Sequence, residues 1–228
     1  MEKSEYIRIF ANEKTHFWYR ANREFSLDLI DRYCHLAGKS QVLDVGCGTG
    51  GTTTVLKKYG QVTGVDIHDL ALKYSQKHSI DYIIKADVNK LPLVNNSFDL
   101  ITCFDVIYHR DVDPQKAIGE MYRVLKKGGW ILVRVPAFEF LRGGHDLVVQ
   151  TGRRFNASQL AKLVRTTGFS VRHLTYFNLS LFIPSLLWRH VKLKPSSDIT
   201  KIWPPLNYFL YIILKLESKL ALIFNIPF

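Results

Sequence analysis

The stretch Gln41-Val-Leu-Asp-Val-Gly-Cys-Gly-Thr-Gly-Gly51 decides the fold of this 228-residue chain. Its first half, residues 42–45, is a short apolar run typical of a buried strand. The glycines that follow allow tight backbone turns and a close approach by a ligand, which side chains would block. Residues 52–59 have a helical pattern, so the glycine loop lies at a helix N-terminus with unpaired amide groups. Strand, glycine loop and helix together predict a nucleotide-binding cradle.

Two kinds of cofactor use such a cradle. Gly46, Gly48 and Gly51 have the G-x-G-x-x-G spacing of dinucleotide sites, whereas Asp44 followed by three alternate glycines has the D-x-G-x-G-x-G spacing of S-adenosylmethionine (SAM) sites. A carboxylate before the glycines repels a pyrophosphate but suits a cofactor with an ammonium and a sulfonium. Asp44 therefore favours SAM, although a strand-end aspartate can also merely cap the next turn. The predicted contacts here are Asp44, Gly46, Gly48 and Gly50.

Two further predicted strands end in acidic residues. The second strand closes on Asp66, about 20 residues after the glycines, where a carboxylate can accept both hydroxyls of an adenosine ribose. The third strand is followed by Asp87, which is placed to accept a hydrogen bond from the adenine amino group. The loop after the fourth strand, residues 98–104, is expected to enclose the adenine ring from the other side. The predicted adenosine contacts are Asp66, Ile67, Asp87, Val88 and Phe104.

An aromatic and basic cluster lies ahead of the first strand, at residues 15–25 of a mostly helical lead-in. Aromatic rings attract a sulfonium, and an arginine can bind a carboxylate in a fork. We therefore interpret residues 1–40 as a lid over the cofactor, with Trp18 and Arg23 as cofactor contacts. The alternative is an amphipathic helix that packs its aromatic side chains on the sheet and leaves its arginines in solvent.

These motifs resemble, in order and spacing, the type 11 group of class I SAM-dependent methyltransferases over roughly residues 40–136. The resemblance is carried by Asp44 to Gly50, Asp66, Ala86-Asp87, Phe98-Asp-Leu-Ile101 and Glu120 to Val133. It implies an α/β fold with a Rossmann-like, doubly wound, mainly parallel sheet of six or seven strands. The residues outside the match add a predicted N-terminal helix and a C-terminal apolar helical extension. The resemblance also assigns Asp44 and the glycines to the methionine moiety, Asp66 to the ribose and Asp87 to the adenine.

The resemblance also argues against one kind of acceptor. Enzymes that methylate exocyclic amines of bases usually carry Asn or Asp, then Pro-Pro and an aromatic residue, after the fourth strand. Here that position reads Cys103-Phe-Asp-Val106. Methylation of base amines is therefore disfavoured, whereas other RNA chemistry stays open.

The loops after the fourth and fifth strands are expected to face the transferred methyl group. His109 can accept a proton from a substrate hydroxyl because imidazole titrates near neutral pH, although a structural role beside the cofactor is an alternative. His145 and Asp146 can act as a base with its partner or as a substrate clamp, and Arg153 and Arg154 can hold a phosphate or carboxylate. The other interpretation is a hydrated loop whose charges pair with each other. The predicted bases are thus His145 and His109, and the predicted substrate contacts are Asp146, Arg153 and Arg154.

Composition sets the outer limits. A hydrophobic content of 47% suits one folded domain with appended segments. The three cysteines lack a C-x-x-C spacing and residues 1–8 lack an apolar signal, which together indicate a cytoplasmic protein without a disulfide framework or structural zinc. No cluster of histidines and carboxylates has metal-ligand spacing, so no metal is expected. The net charge of +11 indicates an anionic partner such as nucleic acid, a phosphorylated intermediate or an acidic membrane.

The last fifty residues contain two apolar runs, at 174–188 and 203–228, with a basic run at 189–194 between them. Neither apolar run has about 18 uninterrupted apolar residues, so a transmembrane span is not expected. The mixture favours helices in a membrane interface, on the inner face, while a cover over the substrate pocket and a dimer surface stay open. We therefore divide the chain into a lid at 1–40, a SAM-binding domain at 41–176, which ends in a predicted sixth strand at 170–176, and an extension at 177–228.

The predicted function is a SAM-dependent methyltransferase that transfers a methyl group by in-line displacement to a small-molecule or lipid-linked acceptor, at oxygen or carbon. Because SAM is itself reactive, the protein has chiefly to align the acceptor and remove a proton from a hydroxyl. One alternative is an RNA methyltransferase, motivated by the charge, although nucleic acid is the less favoured partner. The other is a protein that binds SAM without turnover. The oligomeric state is left open.

Overall fold

The computed structural model describes residues 2–36, 38–191, 197 and 201–224. Its centre is a parallel sheet with the strand order β3-β2-β1-β4-β5. The order reverses between β1 and β4, and ligands of such sheets bind at the carboxyl ends of the strands at this point. The strands are β1 (Ser40–Val45), β2 (Gly60–Asp66), β3 (Tyr82–Lys85), β4 (Phe98–Phe104) and β5 (Leu125–Arg134).

Helices alternate with these strands, as the predicted α/β class requires. α5 begins where Asp113 accepts hydrogen bonds from the backbone amides of Gln115 and Lys116, and α7 ends at Gly168 in the left-handed conformation. The helices are α1 (Lys3–Asn12), α2 (Phe17–Tyr33), α3 (Thr53–Leu56), α4 (Asp69–Ser75), α5 (Pro114–Val124), α6 (Gly144–Val148), α7 (Ala157–Thr167), α8 (Phe182–Val191) and α9 (Pro204–Phe224). Short 3-10 turns cover Lys57–Tyr59, Glu139–Leu141 and Leu179–Leu181.

The core lies on both faces of the sheet. Side chains alternate along a strand, so Leu43 and Val45 pack in the cluster with Met121 of α5, whereas Val42 packs with Ile30 of α2 on the other face. These side chains are fully or almost fully buried. The continuous apolar run of β1 is therefore explained by burial on two sides.

The predicted strand number was wrong, since the described residues form five strands rather than six or seven. A sixth strand was expected at 170–176, but this segment has no strand pairing in the structure. This segment contacts α2 instead, because the His173 ring stacks on Tyr33 with centroids 5.1 Å apart, and the next residue, Phe177, stacks on Phe25 at 4.3 Å. Ring packing against a helix is thus found where the backbone ladder of a sixth strand was predicted.

The C-terminal helix α9 packs mainly on α2. Tyr211 and Leu214 are buried against Phe17 and Ala21. Asn207 fixes the start of α2, because its side chain accepts a hydrogen bond from the Phe17 amide at 2.8 Å. α2 is therefore covered on one side by the sheet and on the other by α9. The side chains of the basic run at 189–194, and residues 225–228 of the predicted extension, lie outside the described residues.

Candidate functional site

Asp44 lies at the end of β1 and is 3% exposed. Its two oxygens accept hydrogen bonds from the hydroxyls of Thr53, at 2.6 Å, and Thr102, at 2.7 Å. Burial raises the pKa of Asp44 to about 6, and the two hydroxyls offset part of this effect. Each oxygen keeps a second lone pair. The site therefore holds a buried carboxylate that a cationic ligand would stabilise, as the predicted SAM contact requires.

The glycine loop follows directly. Gly46, Gly48 and Gly50 all have positive φ, at 71°, 55° and 93°. At Gly46 the space is filled from within the protein, because a Cβ there would collide with the side chain of Val106 in the loop after β4. A glycine is thus required at position 46 by the neighbouring loop, besides any ligand that the loop binds.

Asp66 closes β2 beside this loop. One carboxylate oxygen accepts a hydrogen bond from the Gly48 amide at 3.0 Å, and the other accepts one from the His68 amide at 2.9 Å. Tyr6 of α1 packs against the His68 ring at 5.5 Å. Burial raises the pKa of the Tyr6 hydroxyl above its usual range, and the negative charge of Asp66 adds to this effect. The predicted ribose carboxylate is therefore next to the glycine loop and is approached by the N-terminal helix.

The remaining predicted adenosine contacts lie around the same edge of the sheet. Asp87 accepts two hydrogen bonds from Asn89, from its amide at 2.8 Å and its side chain at 2.9 Å. Ile67 is half exposed, and Val88 and Phe104 are buried. The guanidinium of Arg134 lies 4.8 Å from the centroid of the Phe104 ring. The adenine contacts of these residues stay predictions.

Sequence reasoning missed Glu13, which follows α1 and reaches the glycine loop. Its carboxylate accepts hydrogen bonds from the Thr49 hydroxyl and from the Gly51 amide at 3.2 Å. Its second oxygen pairs with His78 Nε2 at 3.1 Å, and both side chains of this pair are buried. The available signal was a charge at helical spacing from Tyr6 and Phe17, on the apolar face of the lead-in.

Trp18 and Arg23, the two cofactor contacts predicted for the lid, have surroundings that differ from this prediction. Trp18 is 39% exposed, and Arg23 donates a hydrogen bond to the backbone carbonyl of Glu13 at 3.0 Å. Tyr19, which was not predicted, lies near Asp105 and Tyr108 of the loop after β4. Burial raises the pKa of Tyr19 above its usual range, and the charges of Glu5 and Asp105 add to this effect. The lid interpretation stays a prediction, now with Tyr6, Glu13 and Tyr19 as its inward side chains.

The loop after β4 carries His109. Burial lowers the pKa of this imidazole, although backbone groups of Val149 and Gln150 hydrogen bond it and act in the opposite direction. The side chain is therefore neutral at neutral pH, as a proton acceptor must be. His145, the other predicted base, lies partly buried in α6, near the same backbone segment.

The predicted substrate cluster divides into two parts. Asp146 and Arg154 form a buried ion pair at 2.8 Å, and the same carboxylate accepts the Gly143 amide at 2.7 Å. Burial alone would raise the pKa of Asp146, but these two donors together lower it. The pair thus corresponds to the alternative interpretation, in which loop charges pair with each other. Arg153 instead lines a surface groove with Arg110, and the substrate roles of all three predicted residues stay predictions.

An ion pair between two strand ends was not predicted. Asp105, with φ 59°, follows β4 and binds the guanidinium of Arg134 at the end of β5, at 2.6 Å and 3.1 Å. Both side chains are partly exposed at the carboxyl edge of the sheet. This ion pair places two charged groups beside the ring of Phe104. Among the described residues, no group of three or more His, Cys, Asp or Glu side chains is placed to hold a metal ion.

Comparison with known proteins places this site in a family. Residues 43–133 match the family described as a methyltransferase domain, type 11. The ubiquinone biosynthesis O-methyltransferase of Chromobacterium violaceum is 29% identical over 197 residues, which cover 72% of this chain and 82% of that protein.

Two solved structures are also similar. A SAM-dependent methyltransferase from Thermotoga maritima is 26% identical with a TM-score of 0.57, over 74% of this chain and 78% of the other. A structure of the Haloferax volcanii Trm112 methyltransferase activator with a methyltransferase has a TM-score of 0.62 at 16% identity, covers 92% of this chain and 94% of the matched chain, and supports the fold alone. The matched family spans the strands that carry Asp44, Asp66, Asp87 and Phe104. This chain is a SAM-dependent methyltransferase, and its residues 43–133 match the type 11 methyltransferase family.

Proposed function

We propose that this enzyme methylates a hydroxyl oxygen of a small, apolar or lipid-linked acceptor, such as a quinone precursor. An aromatic cluster beside the site carries the proposal. Phe138 and Phe140, after β5, stack on each other with centroids 5.3 Å apart. Tyr176 stacks on Phe138 at 4.8 Å, and Phe182 of α8 meets both phenylalanines edge-on.

Two features make this cluster a candidate acceptor surface. It follows β5 by a few residues, so it lies near the Asp105 and Arg134 pair at the carboxyl edge. Phe138 also has φ 57°, a backbone conformation that bulky residues rarely adopt and that is often found at functional sites. A flat apolar acceptor can stack on these rings. The names of the O-methyltransferase relatives support oxygen as the acceptor atom.

The residues of the chain divide the remaining work. Asp44 and Asp66 are the candidates to hold SAM by its methionine and ribose parts, and SAM supplies a methyl group already activated by the sulfonium. His109 in the loop after β4, whose pKa is lowered by burial, is the first candidate to take the proton of the acceptor hydroxyl, and His145 is the second. The aromatic cluster orients the acceptor, which is the chief contribution that the reaction needs.

The test is methyl transfer from labelled SAM into three separate extracts: lipids, water-soluble metabolites and RNA. We expect label in the lipid fraction, and NMR of the product should give an O-methyl signal. Asp66→Ala should reduce transfer tenfold to a hundredfold, since loss of hydrogen bonds to a charged group weakens SAM binding by about 1.5–3 kcal/mol. Val94→Ser, at an exposed site away from these residues, is the matched control and should transfer normally. Label in RNA alone, or SAM binding without transfer to any extract, would contradict the proposal.

We further propose that α9 brings the enzyme to an anionic membrane surface. α9 has a second apolar stripe, opposite the one that packs on α2, at the helical spacing of three and four residues. The stripe consists of Leu206, Phe209, Ile213, Leu216 and Leu220, of which four are 44–60% exposed and Ile213 is partly buried. Lys201 and Lys219 flank it, and a basic rim around an apolar face suits anionic lipid. No described helix is long and apolar enough to cross a bilayer.

Vesicle flotation tests this contact. The variant Phe209→Ser/Leu216→Ser should float with vesicles that contain anionic lipid at least tenfold less than the native protein, because two exposed apolar side chains no longer enter the interface. The native protein should also float less with neutral vesicles or in high salt. Tyr82→Ser/Val94→Ser removes two equally exposed apolar side chains elsewhere and should float normally. Equal flotation of the native protein and both double variants would contradict the proposed membrane contact.

A further inference from the structure

A backbone clamp joins the loop after β4 to the segment after α6. The Arg110 amide donates to the Gln150 carbonyl at 3.1 Å, and the amides of Gly152 and Arg153 donate to the Tyr108 carbonyl at 2.9 Å and 3.2 Å. His109 and Thr151 form an antiparallel bridge between these bonds. The two segments are therefore fixed relative to each other by a short ladder rather than by side chains alone.

The clamp brings two arginines to one groove. Gly152 makes this approach feasible, because a Cβ at that position would lie 2.7 Å from Arg110 Cα and 3.0 Å from its nitrogen. A groove of about 500 Å³ results, lined by Arg110, Asp111, Val112, Asp113, Pro114 and Arg153. In the part of the chain that the structure describes, neither guanidinium has an ion-pair partner. This contrasts with Arg154, which is buried against Asp146.

The charges in the groove leave it receptive to an anion. Asp113 is engaged as the cap of α5, and Lys116 lies 4.0 Å from its other carboxylate oxygen. Asp111 is the remaining acid of the lining, and it opposes the two arginines with a single charge. The two arginines and two aspartates of the lining balance in formal charge, and Lys116 beside Asp113 adds one further positive charge. The positive side of this balance includes two planar guanidinium groups, which bind oxyanions in a fork.

The side chain of Asn89 connects the groove to Asp87, a predicted contact of the cofactor. Asn89 donates to Asp87, the predicted adenine carboxylate, at 2.9 Å, and accepts a hydrogen bond from the Asp113 amide at 3.0 Å. The groove also begins at Arg110, the residue after His109. The groove adjoins the predicted adenine end of SAM, and the adenine carries neither a phosphate nor a carboxylate, so an anion bound here would belong to another molecule in the reaction.

We propose that Arg110 and Arg153 form a subsite for an anionic group of the acceptor, a phosphate or a carboxylate. The acceptor role rests on the proposed methyl transfer, whereas anion binding itself does not. In this subsite Arg153 acts with Arg110, whereas the prediction from the sequence was that Arg153 and Arg154 together hold the anion. The assigned chemistry is oxyanion recognition by two guanidinium groups held in place by the clamp.

Titration calorimetry of the full chain with inorganic phosphate and, separately, with acetate tests the subsite. We expect the favoured anion to bind the native protein, and Arg110→Gln and Arg153→Gln each to weaken that binding tenfold or more. Asp111→Asn should strengthen it severalfold, because it removes the opposing charge; a purely structural role of the arginines would give no such gain. Arg172→Gln, at an exposed arginine elsewhere, should bind as the native protein does.

The two anions separate the sources: tighter phosphate indicates a phosphorylated acceptor and tighter acetate a carboxylated one. SAM affinity should be the same in all variants, which shows that the variants are folded. Absence of binding by either anion, or equal binding by native protein and both glutamine variants, overturns the subsite. If methyl transfer occurs and this pattern is absent, the subsite alone is wrong; if the pattern is present without methyl transfer, the proposed function is wrong and the anion site stands.

Discussion

Replacing Glu13 with alanine is expected to lower the free energy of unfolding by about 3–5 kcal/mol, because the change leaves buried partners without their carboxylate. His78 Nε2 lies 3.1 Å from this carboxylate, and both side chains are less than 10% exposed. The Thr49 hydroxyl and the Gly51 amide lose their acceptor in the same substitution. Urea unfolding of the native protein and the variant measures the difference.

Matched variants separate charge from hydrogen bonding. Glu13→Gln keeps an acceptor for Thr49 and Gly51 but removes the negative charge, so we expect a smaller loss than in Glu13→Ala. The double variant Glu13→Leu/His78→Leu should lose less free energy of unfolding than the two single variants lose in total, because it leaves neither polar group buried without its partner. Additive losses in this cycle would mean that the pair contributes nothing beyond its packing.

The contacts of Glu13 also explain how the N-terminal helices are held against the glycine loop. α1 and the glycine loop are distant in sequence, and the contact with His78 spans 65 residues. It is this carboxylate that fastens the N-terminal helices to the cofactor loop. We therefore expect Glu13→Ala to weaken SAM binding as well, even at temperatures where the variant remains folded.

The sequence predicted those parts of the site that are local. The strand 98–104 was placed correctly because its apolar run is continuous, and Asp66 was placed at the end of β2 because the strand pattern stops there. By contrast, Glu13 and Arg110 take their roles from segments far away in the chain. No spacing rule indicates that a residue 13 positions from the start meets a glycine loop.

The partners of neighbouring charged side chains were a second feature that the sequence did not predict. The sequence shows Asp146, Arg153 and Arg154 close together, but it does not show which arginine turns inward. The structure buries Arg154 against Asp146 and leaves Arg153 at the groove. Similarly, a strand was predicted at 170–176, whereas in the structure His173 and the following Phe177 pack their rings on α2. Tertiary contacts decided both outcomes.

Asp44→Asn is expected to stabilise the protein without ligand and to weaken its binding of SAM. Burial raises the pKa of Asp44 to about 6, against about 3.9 in an unfolded chain. The folded state therefore binds more protons between these values, and stability falls as the pH rises from about 4 to about 6. Above pH 6 the ionised, buried carboxylate costs about 3 kcal/mol, since each pKa unit corresponds to 1.36 kcal/mol.

Asparagine removes this cost, so the variant should unfold at higher urea than the native protein at pH 8 and at the same urea near pH 4. Thr53 and Thr102 can still form hydrogen bonds with an asparagine, because a hydroxyl both donates and accepts. Asp99→Asn is a control of opposite sign: burial acts against ionisation of Asp99, but Lys126 and the Gln41 amide outweigh it and hold its pKa below the ordinary value. That variant should lose stability at neutral pH and approach the native protein in acid.

The gain in stability should be accompanied by a loss of function. A cationic ligand is attracted by the ionised form of Asp44, so native SAM affinity should rise as the pH increases through about 6. Asp44→Asn should bind SAM tenfold to a hundredfold more weakly at pH 8, for the loss of about 1.5–3 kcal/mol of charged hydrogen bonding. It should also lose the pH dependence. Calorimetric titration with SAM at pH 5, 6.5 and 8 measures both effects; unchanged affinity at pH 8 would remove Asp44 from the cofactor site, whatever its effect on stability.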